Sequence, residues 1–597
     1  MKGLDVGTIL YECRQTNHFS QEEVCTGICS VSNYSKYETA EKLPDVFSYI
    51  FFCDRLGLPL RGMTAYICRA DSDYWMWKRG MYRFIRTEDY AGLRENYPYQ
   101  GKRAFLNKRL MEQYDWYIQG ILAEKDHGDL KRANECYREA VKITCPALLE
   151  QNSLDGLYGR TELGLAVLYF HTLILLDESR QAYVGERAYS LINYVSRQQW
   201  DDESKCGIYA ALVVLWCKCG AAGKSLEERL HHLQNAILLL RKSSETYHIV
   251  ELYRQTIKVR RELGMSVEQE EEYRDIFTEL FEEFQIPYED LYDQVYDDEI
   301  MIQVIHSYLK KARVYANKSQ EMVSDGICAV ESYSRIESGR RLNRTHYQAI
   351  SGKLGIEERY YYDLIKTSKA QAVPLRKEIN ETFNRDEYEL CRCKLEELQN
   401  LLGEEAKENE QYFAYQRARL KNAEKEYSPQ QYYDTLEQVL KYSCDLEEIS
   451  ALNHTLTQLE IKIINSMSTA QRSLGNKEKA ISLISDLVHN VESDPYSRDC
   501  NFTGIKLAKL NLGTYLTSVR RMEEARCIFY DTVREALLRN DCFHVDYLLA
   551  EYAYSFDDAD SEVKILFFKY AEMIGRFLNH IDYCKKIEVQ MNLLQTE

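Results

Sequence analysis

The sequence predicts an all-α protein of two small helical domains, each followed by an irregular region of helical hairpins. Three observations carry that prediction. Glycine and proline number only 27 and 8 in 597 residues, about half of ordinary usage, which suits helices joined by short turns. One pattern of a short helix, a glycine turn and a second helix occurs twice. Between and after those copies, small residues and Gly turns recur at hairpin spacing.

The repeated pattern comes first in the chain. Its first copy is Ser20-Gln21-Glu22-Glu23-Val24-Cys25-Thr26-Gly27-Ile28-Cys29-Ser30-Val31-Ser32-Asn33-Tyr34-Ser35-Lys36-Tyr37-Glu38. Its second, at an offset of 299, is Ser319-Gln320-Glu321-Met322-Val323-Ser324-Asp325-Gly326-Ile327-Cys328-Ala329-Val330-Glu331-Ser332-Tyr333-Ser334-Arg335-Ile336-Glu337. From Leu10 to Asp45 the two agree at 14 of 36 positions, which shows how the chain is built. Ser20 and Ser319 stand where helix N-caps belong, and Glu23 completes a capping box in the first copy only. Gly27 accepts the left-handed backbone that ends the first helix. Ser30 caps the next helix, whose Val31, Tyr34 and Tyr37 are expected to point inward. That leaves Ser32, Asn33 and Lys36 outward, and Glu331, Ser332 and Arg335 in the second copy. Gln21 and Gln320 open the first helix, where a polar side chain can meet a phosphate.

These stretches resemble the lambda-repressor/Cro-like (XRE-type) helix-turn-helix family. Ser35-Lys36-Tyr37-Glu38 and Ser334-Arg335-Ile336-Glu337-Ser338-Gly339 match the end of the family's recognition helix, and Leu56-Gly57 and Leu354-Gly355 match its close. Pro44 matches in the first copy, with Asn343 in its place in the second. Both turns are one residue longer than the family's, Ala40 stands where Gly is usual, and Ala329 lacks a capping hydroxyl. The resemblance implies double-stranded DNA as partner, with the outward residues reaching base edges in the major groove. Charge ranks the copies. Residues 301–370 hold 12 Lys/Arg against 7 Asp/Glu, and residues 1–69 hold 7 against 8, in a chain of net charge −18. Phosphate neutralisation dominates nucleic-acid affinity, so the basic second copy is the stronger expected contact. Arg340, Arg341 and Arg344 follow its recognition helix, where backbone contacts usually lie, and Arg335 can grip guanine or phosphate bidentately. Glu331 either accepts from a cytosine amino group or marks a copy that no longer binds DNA. The plain alternative for each copy is a hairpin that merely packs.

The remaining elements follow as hairpins. Gly128-Asp129-Leu130 is a turn into a new helix, and Ala133 and Ala140 lie two turns apart on one face, letting neighbours approach. Leu474-Gly475-Asn476, and Leu512-Gly513 followed by Met522 to Ala525, repeat the theme. This is similar to a tetratricopeptide repeat. The expected domains are 1–69 (helix-turn-helix), 70–297 (tetratricopeptide-like), 298–366 (helix-turn-helix) and 367–597 (tetratricopeptide-like). The join falls near the acidic residues Asp290 to Asp298. The acidic run Glu268 to Glu283 just before it reads as a solvated helix face, or less simply as a mimic of DNA charge. The combination resembles the peptide-sensing Rgg/PlcR-like regulators of quorum sensing in Gram-positive bacteria. That resemblance implies a short signalling peptide or a protein on the repeats, homodimer formation, and backbone-holding Asn side chains, for which Asn453, Asn465 and Asn511 are the candidates. Two linked copies in one chain are a departure from that class.

Other classes find little support. The apolar runs Leu163 to Leu176 and Tyr209 to Trp216 are shorter than the roughly 20 residues of a membrane span, so no membrane is expected. The N-terminus lacks a secretory pattern, and the 18 cysteines are scattered without zinc spacing. They read as reduced thiols in the cytoplasm, with no metal or cofactor. The 47 tyrosines read as amphipathic filler between helices. No phosphate loop, H-E-x-x-H or nucleophile elbow suggests an enzyme. Two readings remain: a sequence-specific transcription regulator, or a helical-repeat protein-interaction scaffold whose helix-turn-helix copies do not bind DNA.

Overall fold

The computed structural model describes residues 6–58, 60, 63–101, 104–150, 156–221, 223–288, 300–337, 344–355, 360–362, 364–367, 369–403, 407–444, 446–447, 455–494, 498, 502–557 and 560–596. The chain is all-α apart from one small sheet. Helices α1 (Val6–Thr16), α2 (Gln21–Cys25), α3 (Val31–Glu38) and α4 (Val46–Leu56) form the first unit. Their ends are set by the side chains the sequence supplies. Ser20 Oγ accepts from the Glu23 amide while Glu23 returns a bond to the Ser20 amide, closing the capping box. Ser30 Oγ accepts from the Asn33 amide. Gly27 sits at φ +77°, and Ala40 takes φ +56°, a left-handed backbone more often held by Gly. Tyr34 and Tyr37 are buried as expected, but Val31 is 42% exposed. It lies on the first turn of α3, at the edge of the face that Tyr34, Tyr37 and Glu38 bury.

After strand β1 (Thr64–Ile67) come α5 (Arg69–Arg86), α6 (Tyr90–Asn96), α7 (Lys108–Ile121), α8 (Leu130–Thr144), α9 (Arg160–Leu176), α10 (Gln181–Arg197), α11 (Asp202–Lys218), α12 (Leu226–Ser243), α13 (Ile249–Glu262) and α14 (Glu268–Glu283). Strand β2 (Met301–Val304) leads into the second unit, α15 (Ile305–Tyr315), α16 (Gln320–Ser324), α17 (Val330–Glu337) and α18 (Arg344–Leu354). Strand β3 (Tyr360–Tyr362) precedes α19 (Ala372–Asn384), α20 (Tyr388–Leu402), α21 (Lys407–Ala423), α22 (Pro429–Leu440), α23 (Gln458–Ser473), α24 (Lys477–Ser493), α25 (Phe502–Ser518), α26 (Met522–Leu538), α27 (Val545–Tyr554), α28 (Ser561–Phe577) and α29 (Ile581–Thr596).

From α7 to α14 and again from α19 to α29, successive helices pack as antiparallel hairpins, and α9, α11 and α13, like α23, α25 and α27, also touch their second neighbours as an inner layer. Glycine makes two crossings close. A Cβ on Gly120 would lie 2.4 Å from the Tyr137 ring, and one on Gly513 would lie 2.4 Å from the Phe529 ring. The acidic α14 turns Tyr273, Ile276, Phe277, Leu280 and Phe281 inward and leaves Glu268, Glu272, Glu279, Glu282 and Glu283 in solvent. Residues 289–299, where the sequence places the join, lie outside the described residues.

The sheet is the element the sequence did not announce. Its order is β2-β1-β3, with β1 parallel to β2 and antiparallel to β3. All four residues of β1 and of β2 are buried, so neither strand shows the polar alternation by which a half-buried strand is recognised.

The two arrays repeat each other's hydrogen bonds. Gln113 donates to Ala140 O (2.9 Å) and Thr144 Oγ1 (2.8 Å); Gln411 donates to Val439 O (3.0 Å) and Ser443 Oγ (2.9 Å). Where the arrays meet, Thr246 N donates to Asn540 O and Cys542 N donates to Ser244 O, each at 2.9 Å, around an antiparallel bridge of Glu245 with Asp541.

Candidate nucleic-acid interface

Each four-helix unit is held by one carboxylate. In the first, Arg14 grips Glu38 through Nε (2.6 Å) and Nη2 (2.9 Å), and its Nη1 donates to Phe19 O. Gln21 Nε2 donates to the same carboxylate at 2.7 Å. In the second, Arg313 grips Glu337 at 2.7 and 3.1 Å, donates to Lys318 O, and Gln320 Nε2 donates to Glu337 at 2.8 Å. The bidentate geometry fixes the last turn of α1, or of α15, against the end of α3 or α17, and the single glutamine bond ties in the start of α2 or α16. Tyr34 and Tyr333 sit beside these carboxylates, and burial raises both phenols well above their ordinary pKa. The amides of Gln21 and Gln320, expected at a phosphate, are thus engaged inside their own units.

With the carboxylate satisfied below, the outer face of the second helix stays open. Ser32 and Lys36 on α3 are exposed and Asn33 is half-buried; Glu331 and Arg335 on α17 are exposed and Ser332 is half-buried. Gln21 and Gln320 are half-buried. Arg340 and Arg341 lie outside the described residues, as does Arg344's side chain, though Arg344 opens α18.

The units differ in how they meet the arrays. Arg55 on α4 donates to Val24 O (2.9 Å) and Thr26 O (2.8 Å) at the end of α2, and to Glu162 on α9 at 3.0 and 2.6 Å. The pair is sealed, at 2% and 0% side-chain exposure. Gly27 lies on α8, where a Cβ would come within 2.5 Å of Thr144 O. Asn107 adds bonds to Ile28 O and Ser48 Oγ. The first unit therefore shares the main hydrophobic core. In the second, Lys353 takes the Arg55 role locally, donating to Met322 O (3.2 Å) and Asp325 O. Gly326 faces open space. The unit docks instead through α15: Lys311 pairs with Glu460 on α23, and Tyr308 and Tyr315 donate to Glu408 (3.0 Å) and Gln411 (2.7 Å) on α21. It has a small core of its own, including Tyr66 from β1 and Tyr333, Ile336, Ile350 and Leu354. Sequence reasoning overlooked Arg55, Lys311 and Lys353. The available signal was a basic residue just before both Leu56-Gly57 and Leu354-Gly355.

On the inner layer of the second array, Asn511 Nδ2 donates to Asn465 Oδ1 at 2.9 Å, and Tyr515 OH to Thr469 Oγ1 at 3.3 Å. Their counterparts by helix alignment in the first array are the apolar Val167 and Ala211. Asn453 lies outside the described residues. Among the described residues, no helix is long and apolar enough to cross a membrane, and the cysteines are free thiols.

No family model and no curated protein matches the chain. Among solved structures, the crystal structure of Bacillus thuringiensis PlcR in complex with the peptide PapR7 and DNA is similar across 47% of this chain and 98% of that one. Its identity is 19% and its TM-score 0.32.

Proposed function

We propose that the chain is a sequence-specific DNA-binding transcription regulator of the helix-turn-helix kind, with a peptide or protein signal received on its helical arrays. One observation carries the reading: in both units the carboxylate under the second helix is neutralised from within, while Ser32, Lys36, Glu331 and Arg335 remain exposed above it. A side chain free of internal partners is what major-groove readout requires. The second unit is the stronger contact. It holds Arg335 in a basic stretch, and its glycine turn is uncovered. Gln21 and Gln320 then order the units, and Arg340, Arg341 and Arg344 supply phosphate contacts.

The signal site falls on the second array. Asn465 and Asn511 give its inner layer paired amide groups, which can exchange their mutual bond for those of a peptide backbone, with Asn453 as a further candidate. The first array is apolar at the aligned positions and offers no such exchange.

Binding of the full chain to a labelled duplex from its own upstream region, against an unrelated duplex, tests the reading. The expected affinity is in the nanomolar range for the first and falls steeply with salt. Equal affinity for both duplexes supports the scaffold reading instead. That reading draws on the first unit, whose glycine turn is packed into the array.

A further inference from the structure

We infer that a single copy of this chain binds a non-palindromic duplex, each four-helix unit meeting a different short element; this rests on the DNA-binding reading above. The arrays meet through two equivalent loops. Ser244, Glu245, Thr246 and His248 correspond to Asn540, Asp541, Cys542 and His544, each pair separated by the same 296 positions. The backbone agrees: Ser244 and Asn540 have φ +57° and +55°, and His248 and His544 have φ +55° and +63°. Thr246 donates to Asn540 O, and Cys542, the counterpart of Thr246, donates to Ser244 O, the counterpart of Asn540. Residue i meets j while j's counterpart meets i's, which is the signature of a two-fold contact. Here both partners belong to one chain. Glu245, Thr246, Asn540, Asp541 and Cys542 are all buried, so the two-fold surface is consumed internally and is closed to a second copy.

The four-helix units do not obey that dyad. If they did, Gly326 would rest on Ser443 as Gly27 rests on Thr144, and Lys353 would reach Glu460 as Arg55 reaches Glu162. Instead Gly326 faces open space, and Glu460 is held by Lys311 of α15. One unit docks through its turn and fourth helix, the other through its first helix. Their outward residues differ too: Ser32, Asn33 and Lys36 against Glu331, Ser332 and Arg335. A two-fold protein reads an inverted repeat because both readers are alike and dyad-related. Neither condition holds here.

The test is selection of the full-length chain on a random-sequence duplex library, followed by mass measurement of the chain on the enriched duplex. The expected result is one chain per duplex and a consensus of two unlike elements. Arg335→Ala should lose about tenfold in affinity by erasing preference at one element, and Lys36→Ala should alter only the other. Two chains per duplex, a consensus that is an inverted repeat, or both variants acting on one element overturns this inference while leaving DNA binding intact. A library with no enriched sequence overturns the DNA-binding reading together with it.

Discussion

Replacing Glu162 with Gln leaves the Arg55 guanidinium sealed between α2, α4 and α9 without its carboxylate. Removing one partner of a buried pair costs about 3–5 kcal/mol. Urea unfolding of Glu162→Gln should show a loss of that size; a loss under about 1 kcal/mol would mean that the ion pair does not anchor the first unit. On the outer face the expected effects bear on binding alone. Arg335→Ala should weaken specific DNA binding by about 1–3 kcal/mol with unfolding unchanged. Lys36→Ala should do less, and an equal or larger loss in a titration would reverse the ranking of the units. In the second array, Asn465→Val with Asn511→Ala installs the residue types of the first. Peptide-dependent change in DNA affinity should vanish in that variant while DNA binding without peptide persists.

At the level of elements, the turns distinguish the units. Gly27 and Gly326 both have positive φ, so alanine costs about 1 kcal/mol at either. Only at Gly27 does the new Cβ strike backbone, at Thr144. Gly27→Ala should therefore destabilise well beyond Gly326→Ala, and equal losses in thermal unfolding would contradict the packed turn. The loop ahead of α27 adds a pH dependence. Burial, and then the nearby Lys506, lower the His544 pKa to about 4. Between that value and the ordinary 6.5 the unfolded chain takes a proton that the native loop refuses. Stability from this group is thus present above pH 6.5 and lost as pH falls toward 4, by up to about 3 kcal/mol. His544→Asn, which tolerates the φ of +63°, should flatten that part of the stability profile. His580 acts oppositely. Its bond to Asp546 raises its pKa, so its contribution is full at low pH and is lost as pH rises through the raised value.

Elements whose cause is local were legible in the sequence: the Ser20, Ser30 and Ser319 caps, the Gly27 turn, the hairpins around Gly128 and Gly475. What escaped depends on partners distant in the chain. Strand β1 exists because Met301–Val304 and Tyr360–Tyr362 lie on either side of it. Arg55 finds Glu162 across 107 positions; the basic residue shared ahead of Leu56-Gly57 and Leu354-Gly355 marks Arg55 but not its distant partner. Val31 was expected inward from spacing alone, but it falls at the edge of the face that Tyr34, Tyr37 and Glu38 bury. For the site, the outward residues could be read from helical period, whereas the internal use of Gln21 and Gln320 could not, because it needs Glu38 and Glu337 folded back beside them.

Across the whole molecule, two arrays meet on an internal dyad, one four-helix unit is built into the core, and the other docks through its α15 and has a separate core. On the proposed DNA-binding function, the division gives one fixed and one less encumbered reader on a single chain. The most direct test of the account is the affinity of the full chain for its selected duplex, titrated against salt, beside Arg335→Ala. The account predicts a log–log slope that is steep and negative, specific binding well above that to unrelated DNA, and a marked loss in the variant. A flat salt response with the same affinity for selected and unrelated duplexes would contradict it.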